Sequence, residues 1–409
     1  MSVGIFNSGA LTQDLAKKSF AAMITRLMPN GTAPLFGLTS MLSSDTAVQT
    51  EHGFFTKTML FPQLTLGASA LSTDTTLTVT STSNVLPGML MRVDSTGENV
   101  LVNSVISGTS VQVQRGVGTV AAAAISNSVN LFQVGNAFEE SSLRPQSLII
   151  NPVRITNLTQ IFRNTWAISD TVRTTMMIAG ETNVAESRQD CAAFHAADIE
   201  KAIFFGQKSQ GTRNGQPFRT MDGLINIVGN LSYYPSYYSA TNVNTAGGTT
   251  NYTQLEGFLD PVFNQATDPK VANERVLFVG GTAKRVLNNI GRLNGTYYLV
   301  DGQTSYGLQF STFKTARGTF RMIEHPLLNS NTSWSKMAVA VDLSTFRLAY
   351  LGDRKTQNKE FNMPDQSDMD VSDNGIDAVG GTLTTELTCV VKNPPANSIV
   401  YNLTAAAAG

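Results

Sequence analysis

The chain has 409 residues, of which 42% are hydrophobic and only 14% are Asp, Glu, Lys or Arg. Globular proteins carry about a quarter charged residues, so the surface of this chain is either heavily covered by partners or unusually uncharged. Fewer charges lower the desolvation cost and the repulsion when copies pack together. A formal net charge of −1 argues against a strong nucleic-acid binder, which needs clustered cations. Neither a signal-peptide pattern nor an apolar run long enough to span a bilayer is visible. The two cysteines, Cys191 and Cys389, indicate buried thiols in a reducing compartment.

An amphipathic helix at residues 11–28 is the first element that the sequence predicts. Its apolar stripe includes Leu15, Phe20 and Ile24, and Pro29-Asn30-Gly31 ends it. A polar arm, LTSMLSSDTAVQ, follows this helix.

A small β module is predicted next, over about 68–128, after a strand-like run at 54–66. Within residues 85–119, apolar and polar residues alternate in short runs that turn dipeptides separate, which is typical of strands and tight turns. Another extended run follows at 129–134, so the chain goes out as a strand, makes the module and returns. No residue of the module suits catalysis or metal binding. Its alternating apolar positions include Met89, Met91, Val111 and Val113.

A long helix is predicted at 184–206, after an extended segment that begins at Pro152. Gly206 stands where the helix stops, and its length of about 33 Å would make it the structural axis of a domain. The residues predicted to share one face are Ala185, Ala192, Ala196, Ile199 and Ile203.

The rest of the chain interleaves helices and strands. Residues 211–251 are predicted as a loop, and Thr253–Glu256 as a capping box that opens a helix ended by Pro261. No period of 20 to 50 residues repeats, so we predict an α+β fold rather than a solenoid or propeller. The further predicted elements are strands at 275–279, 296–300, 306–314 and 319–325, a helix at 282–290, and two strand pairs, 337–342 with 346–352 and 382–393 with 398–403.

The residues that could carry chemistry favour structural interpretations. His195 lies in the long helix and is interpreted as a packed or hydrogen-bonded structural histidine. Residues 280–284, GGTAK, follow a strand and open a helix, but they lack the GxxxxGK[ST] spacing and are interpreted as a turn. The frame that starts at Asp370 imitates a calcium loop, yet position twelve is Gly381 where a Glu is required, so an acidic surface loop is favoured.

Catalytic constellations are missing from the sequence. His52, His195 and His325 show no metal-ligand spacing, and the HExxH and GxSxG motifs are absent. The tyrosine cluster at 233–238 lacks interleaved Arg or Lys and is interpreted as packing a loop or an interface. We therefore expect a structural protein, not an enzyme, with no cofactor and no bound metal.

Several stretches resemble the major capsid proteins of tailed bacteriophages, whose shell fold was first described in phage Hong Kong 97. The most specific block is GNAFEESSLRP at 135–145, followed by NLTQIFRNTWAISDTVR at 157–173. Weaker blocks follow in the expected order: FRMIEHPLL (320–328), VAVDLSTFRLAYL (339–351) and GGTLTTELTCVVKNPPANSIVYNL (380–403). The resemblance implies the Hong Kong 97-like capsid fold.

The resemblance also implies a division of the chain. Residues 1–48 would be the N-terminal arm, and 49–151 the extended E-loop, which reaches over a neighbouring subunit. Residues 152–210 would form the P domain with its spine helix, 211–316 the A domain, and 317–409 the return to the P domain with the C-terminal strands. The β module then becomes an insertion in the E-loop, a departure from a bare hairpin. The Lys–Asn cross-link of some relatives has no matching motif here.

The implied function is that of a major head protein, which self-assembles into an icosahedral shell that packages double-stranded DNA. Its partners would be other copies of itself in hexamers and pentamers, a scaffolding protein, a portal, a decoration protein, and DNA that it contacts weakly without sequence specificity. It would assemble in the cytoplasm of the bacterial host and reside in the virion capsid. The residues expected at assembly interfaces are Leu15, Phe20, Ile24, Phe54, Phe55, Met89, Met91, Val111 and Val113.

Three other classes stay open at this point. An encapsulin-type nanocompartment shell protein would share the fold, although the large β module and the long arm favour a phage protein. A β-rich tail-fibre protein or adhesin would show repeats and little helix. An enzyme with an unfamiliar site is the third alternative.

Overall fold

The structure is a computed structural model that describes residues 33–57, 62–149, 151–175, 183–234, 238, 240–264, 273–293, 300–305, 308–361 and 378–407. The helix predicted at 11–28, with Leu15, Phe20 and Ile24, lies outside these residues, as does the acidic loop around Asp370. The helices are α1 (Pro34–Ser40), α2 (Asp170–Thr174), α3 (Asn183–Phe205), α4 (Leu224–Gly229), α5 (Tyr252–Leu259), α6 (Gly281–Leu293) and α7 (Pro326–Asn329).

Strands make up most of the remaining described backbone. The chain folds into two compact units: a second unit, residues 55–154 with 234–240, which contains the β module, and a main unit made of the rest. The strands are β1 (Asp45–Ala47), β2 (Glu51–Thr56), β3 (Gln63–Thr65), β4 (Thr76–Thr78), β5 (Met89–Val93), β6 (Asn99–Ser107), β7 (Ser110–Gln114), β8 (Asn130–Asn136), β9 (Val153–Leu158), β10 (Gln160–Ser169), β11 (Ser209–Arg213), β12 (Gln216–Thr220), β13 (Val243–Thr250), β14 (Glu274–Val279), β15 (Val300–Ser305), β16 (Leu308–Lys314), β17 (Thr319–Glu324), β18 (Ala338–Val341), β19 (Phe346–Leu351), β20 (Gln357–Phe361), β21 (Ala378–Val391) and β22 (Ser398–Ala406).

The described part of the main unit contains two large sheets besides the β11–β12 hairpin. In the first, β21 is central: β10 pairs along one edge, and β19 and β20 pair in succession along the other. The second has the order β13-β22-β18-β14-β17-β16-β15. Residues 276–279 of its strand β14 are all apolar, as expected of a strand that is buried on both faces. Val276 and Phe278 enter a core shared with α3 and the first sheet, whereas Leu277 and Val279 enter a second core with α5 and α6.

The two strand pairs predicted in the second half of the chain are wrong. β18 pairs with β14 and β22, whereas β19 pairs with β1 and β21, so these consecutive strands belong to different sheets. The same holds for β21 and β22. Strands β18 and β19 are almost entirely buried, and each is hydrogen-bonded to a strand along both of its edges, which a simple hairpin does not supply.

The long helix is confirmed as α3, but its predicted face is partly wrong. Ile199 and Ile203 are buried as expected, whereas Ala192 is exposed. The buried face follows Cys191, His195, Ile199 and Ile203, which keep the helical spacing of four. At the end of the helix, a Cβ on Gly206 would lie 2.5 Å from the Ala202 carbonyl oxygen, so glycine is required there.

Other local predictions need correction. Residues 211–251 are not a loop but contain the β11–β12 hairpin, α4 and β13. The capping box of α5 is formed by Asn251 and Gln254, two residues before the predicted one. Part of the predicted polar arm forms the end of α1 and the strand β1.

The β module is a six-stranded sheet with the order β3-β8-β5-β6-β7-β4. Its two edges meet, because Leu66 bridges to Val79 and the Gly67 N–H donates to the Thr78 carbonyl at 2.9 Å, which closes the sheet into a small barrel. The module therefore extends from 63 to 136, beyond the predicted 68–128, and the predicted return strand at 129–134 is its strand β8.

Candidate assembly surfaces

The Met and Val positions of the β module lie inside its own barrel. Met91 and Val111 are fully buried, and Met89 and Val113 are nearly so. They pack with Leu64, Leu77 and other apolar residues of the same module. Their prediction as assembly-interface residues is therefore wrong, because sheet closure has already removed them from any neighbouring surface.

A buried ion pair ties the loops of the module together. Arg115 donates from Nε and Nη2 to the two oxygens of the Glu98 carboxylate, both at 2.8 Å. The Gly116 N–H donates to Glu98 at 2.8 Å, and Arg115 also donates to the Leu71 carbonyl at 2.9 Å. Burial acts to raise the pKa of Glu98, but the hydrogen bonds from Arg115, Gly116 and Ala123 outweigh it and lower that pKa.

Replacing Glu98 by Ala should destabilise the module by about 3–5 kcal/mol at neutral pH, because Arg115 is left buried and unpaired. Because the pKa of Glu98 is lowered in the folded chain, this carboxylate contributes its full stabilisation at pH values above the ordinary carboxyl pKa. The stabilisation is lost as the pH falls through the lowered pKa. The difference in unfolding free energy between the natural chain and Glu98→Ala should therefore shrink in acid. Asp94→Ala, which removes an exposed carboxylate of the same module, is the control. An Asp94→Ala effect as large as that of Glu98→Ala would contradict this interpretation.

Strands β2 and β9 pair in a two-stranded ribbon. Phe55 is 67% exposed, whereas Phe54 is half-buried against Ala47, Ala349 and Val390. An isolated two-stranded ribbon cannot bury its apolar side chains. Phe55 therefore remains a proposed interface residue, whereas Phe54 packs against the core of the main unit.

The segment 137–149 carries apolar side chains without secondary structure to shelter them. Leu143 is 92% exposed and Ile149 is 74% exposed, and Phe138 is exposed as well. A run of exposed apolar residues marks a surface that another molecule covers. We call residues 137–149 the exposed segment. It includes most of the block that carries the strongest sequence resemblance.

A buried carboxylate anchors the first described residues to α3. Glu200 is fully buried and accepts the backbone N–H groups of Leu35, at 2.8 Å, and Phe36, at 2.7 Å. These N–H groups lie in the first turn of α1, whose own N-cap residue Ala33 offers no side-chain acceptor. Glu200 thus caps α1 from a distant element.

His325 completes this anchor. Its Nδ1 accepts the Leu327 N–H at 3.1 Å, so the proton lies on Nε2, which donates to Glu200 at 2.6 Å. The rings of Phe204 and Phe278 pack edge-on against the imidazole. Sequence reasoning missed the pair. Its only signal is a carboxylate on the buried side of a helix, between Ile199 and Ile203.

The remaining candidates have structural partners. His195 bonds Asn164 and Thr385, each at 2.7 Å, and burial lowers its pKa. At the predicted turn, the Gly281 N–H donates to the Asn329 side chain at 2.6 Å and Lys284 pairs with Glu324. Within the described residues no cluster of His, Cys, Asp and Glu could hold a metal, and no helix is long and apolar enough to cross a membrane.

The tyrosine cluster and the two cysteines also make structural contacts rather than forming a reactive site. Tyr234 is buried and packs edge-on against Tyr238, with ring centroids 5.5 Å apart. Cys191 and Cys389 are buried free thiols, and burial raises the pKa of Cys389 to about 12. A thiol with so high a pKa is not a nucleophile at neutral pH.

Comparison with known proteins reveals clear relatives. The family model described as SU10 major capsid protein matches residues 5–404. The major capsid protein of Pseudomonas phage PaMx41 is 36% identical over 409 residues, which cover 98% of this chain and 96% of the relative.

Similar solved structures are more distant. A chain from Mycobacterium phage Cain is 9% identical, with 99% of each chain covered and a TM-score of 0.47. One from Mycobacterium phage Bobi is 10% identical, with 95% of this chain and 96% of the other covered and a TM-score of 0.47. The encapsulin SrpI complex of Synechococcus elongatus PCC 7942 is 11% identical, with 64% and 80% covered and a TM-score of 0.42.

The near full-length matches confirm the expected phage major capsid protein, and the structure itself confirms the expected mixed α+β composition. The sequence relative at 36% identity is a phage head protein, which favours this class over an encapsulin. These are structural proteins rather than enzymes. The chain belongs to the SU10 major capsid protein family, and as a major capsid protein it forms the shell of a phage virion.

Proposed function

We propose that the chain assembles through hexamers and pentamers into an icosahedral shell that packages double-stranded DNA. The observation that carries this proposal is the exposed segment, whose side chains Leu143 and Ile149 have no cover within the described residues. Repeated copies in a closed shell would supply that cover through heterologous contacts.

The proposed division of the chain follows the family. The N-terminal arm is 1–48, the E-loop 49–151, the P domain 152–210 with α3 as spine helix, the A domain 211–316, and the return 317–409. The β module is the insertion in the E-loop. Its closed barrel and complete internal core support an autonomous folding unit that adds a surface to the loop.

Further partners belong to the same proposal. A scaffolding protein, a portal and a decoration protein would act with the shell during assembly in the bacterial host cytoplasm. The formal net charge of −1 suits an inner wall that holds packaged DNA only weakly. Leu15, Phe20, Ile24 and Phe55 remain the proposed interface residues from the sequence.

Nuclease treatment of purified particles tests the proposed cargo. Virion particles should protect double-stranded DNA of genome length from digestion. Particles that contain protein cargo and no protected DNA would instead support an encapsulin-type compartment, and the proposed packaging role would fail.

Removing the β module tests its proposed role as an addition to the shell. Thr65 and Asn130 are directly paired in β3 and β8, so an Asn-Gly turn can replace residues 66–129 and close a two-stranded hairpin. Shells of this variant should still form, because the main unit keeps its cores, but they should disrupt at a temperature several degrees lower. Unchanged heat resistance of the particles would show that the module adds no stabilising contact.

A further inference from the structure

A groove beside the second sheet of the main unit is lined by two arginines and by several apolar residues. It lies between α6 and the end of β22 and has a volume of about 570 Å³. We call it the arginine groove. Its lining residues are Arg285, Val286, Asn289, Arg292, Leu293, Thr404, Ala405 and Ala406.

The two arginines of this groove are exposed and available. Arg285 and Arg292 are seven residues apart on α6, so they lie on one side of the helix, with Asn289 between them. Among the described residues neither guanidinium has a hydrogen-bond or ion-pair partner, whereas the nearby Lys284 pairs with Glu324. Leu293, at the end of the helix, is 53% exposed. The groove therefore offers two free cations beside apolar surface.

One segment of this chain has the complementary chemistry. Residues 362–377, NMPDQSDMDVSDNGID, contain five Asp and no Lys or Arg. These residues are strongly acidic, and none of the contacts described above uses them. Their apolar residues, interleaved with the carboxylates, are Met363, Met369, Val371 and Ile376.

The flanking strands limit where this acidic segment can reach. β20 and β21 are paired, with Phe361 opposite Gly380, so both ends of the segment are fixed side by side at the edge of the first sheet. A turn of a few residues would suffice to join them. Sixteen residues, out and back, can reach up to about 25 Å from that edge. The length thus allows contact with another molecule.

We propose that the acidic segment 362–377 of one copy docks in the arginine groove of a second copy. Its Asp carboxylates pair with Arg285 and Arg292, while its apolar residues cover Leu293 and Ala405. Such a contact is heterologous, because each copy contributes one segment and one groove, and repetition of heterologous contacts builds rings and shells. The inference rests on the proposed shell assembly and adds a specific contact to it.

Charge reversal tests this contact. The groove variant carries Arg285→Glu and Arg292→Glu, and the segment variant carries Asp368→Lys, Asp370→Lys and Asp373→Lys. Each alone should lose shell formation, by about tenfold or more in the assembled fraction, because like charges oppose each other. An equal mixture of the two variants should form hexamers, because the variants can alternate around a ring of six so that each segment finds an oppositely charged groove on the next copy. A charge-matched control, Arg92→Glu with Arg213→Glu, alters exposed arginines elsewhere and should assemble normally.

Three results would overturn the proposal. Normal assembly of the groove variant alone would show that the groove makes no contact that matters. Assembly of a chain that combines both sets of substitutions, without hexamers from the mixture, would place the segment in the groove of its own copy. If neither the combined chain nor the mixture assembles, the groove binds a different partner, such as nucleic acid. If the proposed shell function itself is wrong, the natural chain will form no shells under the same conditions, which distinguishes that failure from failure of this contact.

Discussion

Glu200→Ala should destabilise the main unit by about 3 kcal/mol or more, because it removes a buried acceptor of three hydrogen bonds. Leu35, Phe36 and His325 all donate to this carboxylate. Denaturant unfolding measures the loss of stability. Amide hydrogen exchange should show that the N–H groups of Leu35 and Phe36 lose their protection first.

Two further variants separate the chemistry of this anchor from its shape. Glu200→Gln preserves the volume but turns an NH₂ group toward backbone or imidazole donors, so it should also destabilise the chain. Lys201→Ala breaks only an exposed pair with Asp198 and should change the stability by less than about 1 kcal/mol. Equal protection of the Leu35 and Phe36 amides in Glu200→Ala and in the natural chain would contradict the anchoring role.

Leu143→Asp combined with Ile149→Asp should abolish shell formation without unfolding the chain. Both side chains are largely exposed, so no described core contact is lost. Burying each against a neighbouring copy is worth about 1.5–3 kcal/mol. Loss of both should weaken each contact between copies by about a hundredfold or more, at about 1.4 kcal/mol per tenfold.

Sedimentation and thermal unfolding together measure this second prediction. The doubly substituted chain should sediment as small species while its melting temperature stays that of the natural unassembled chain. Gln146→Asp introduces a charge at a polar, exposed position of the same segment and should leave assembly intact. Normal shells from Leu143→Asp with Ile149→Asp would show that the exposed segment is not an interface.

The β module shows what sequence patterns can predict and what they cannot. Alternation of apolar and polar residues predicts its strands, because side chains on a strand point to opposite faces. The pattern indicates one buried face but not what covers it. Closure depends on the pairing of Leu66 with Val79, a contact between positions that local periodicity does not specify. For this reason Met91 and Val111 were predicted at an interface and lie in a core.

The contacts of Glu200 and the division of the strands between two sheets could not be predicted from local sequence patterns, for a different reason. The four residues between β18 and β19 are a usual length for a hairpin, yet the two strands enter different sheets. Likewise, the partners of Glu200 come from segments 165 and 125 residues away in the sequence. Helix α3 and strand β14 were predictable because their signals are local, whereas pairing partners and buried charges depend on the whole chain.

A density map of assembled particles tests the central claim most directly, because it locates the exposed segment in the presence of all neighbouring copies. The natural chain should form closed icosahedral shells in which Leu143 and Ile149 of each copy are buried against an adjacent copy. Particles in which these side chains face solvent, or a chain that remains monomeric under conditions of assembly, would contradict the account.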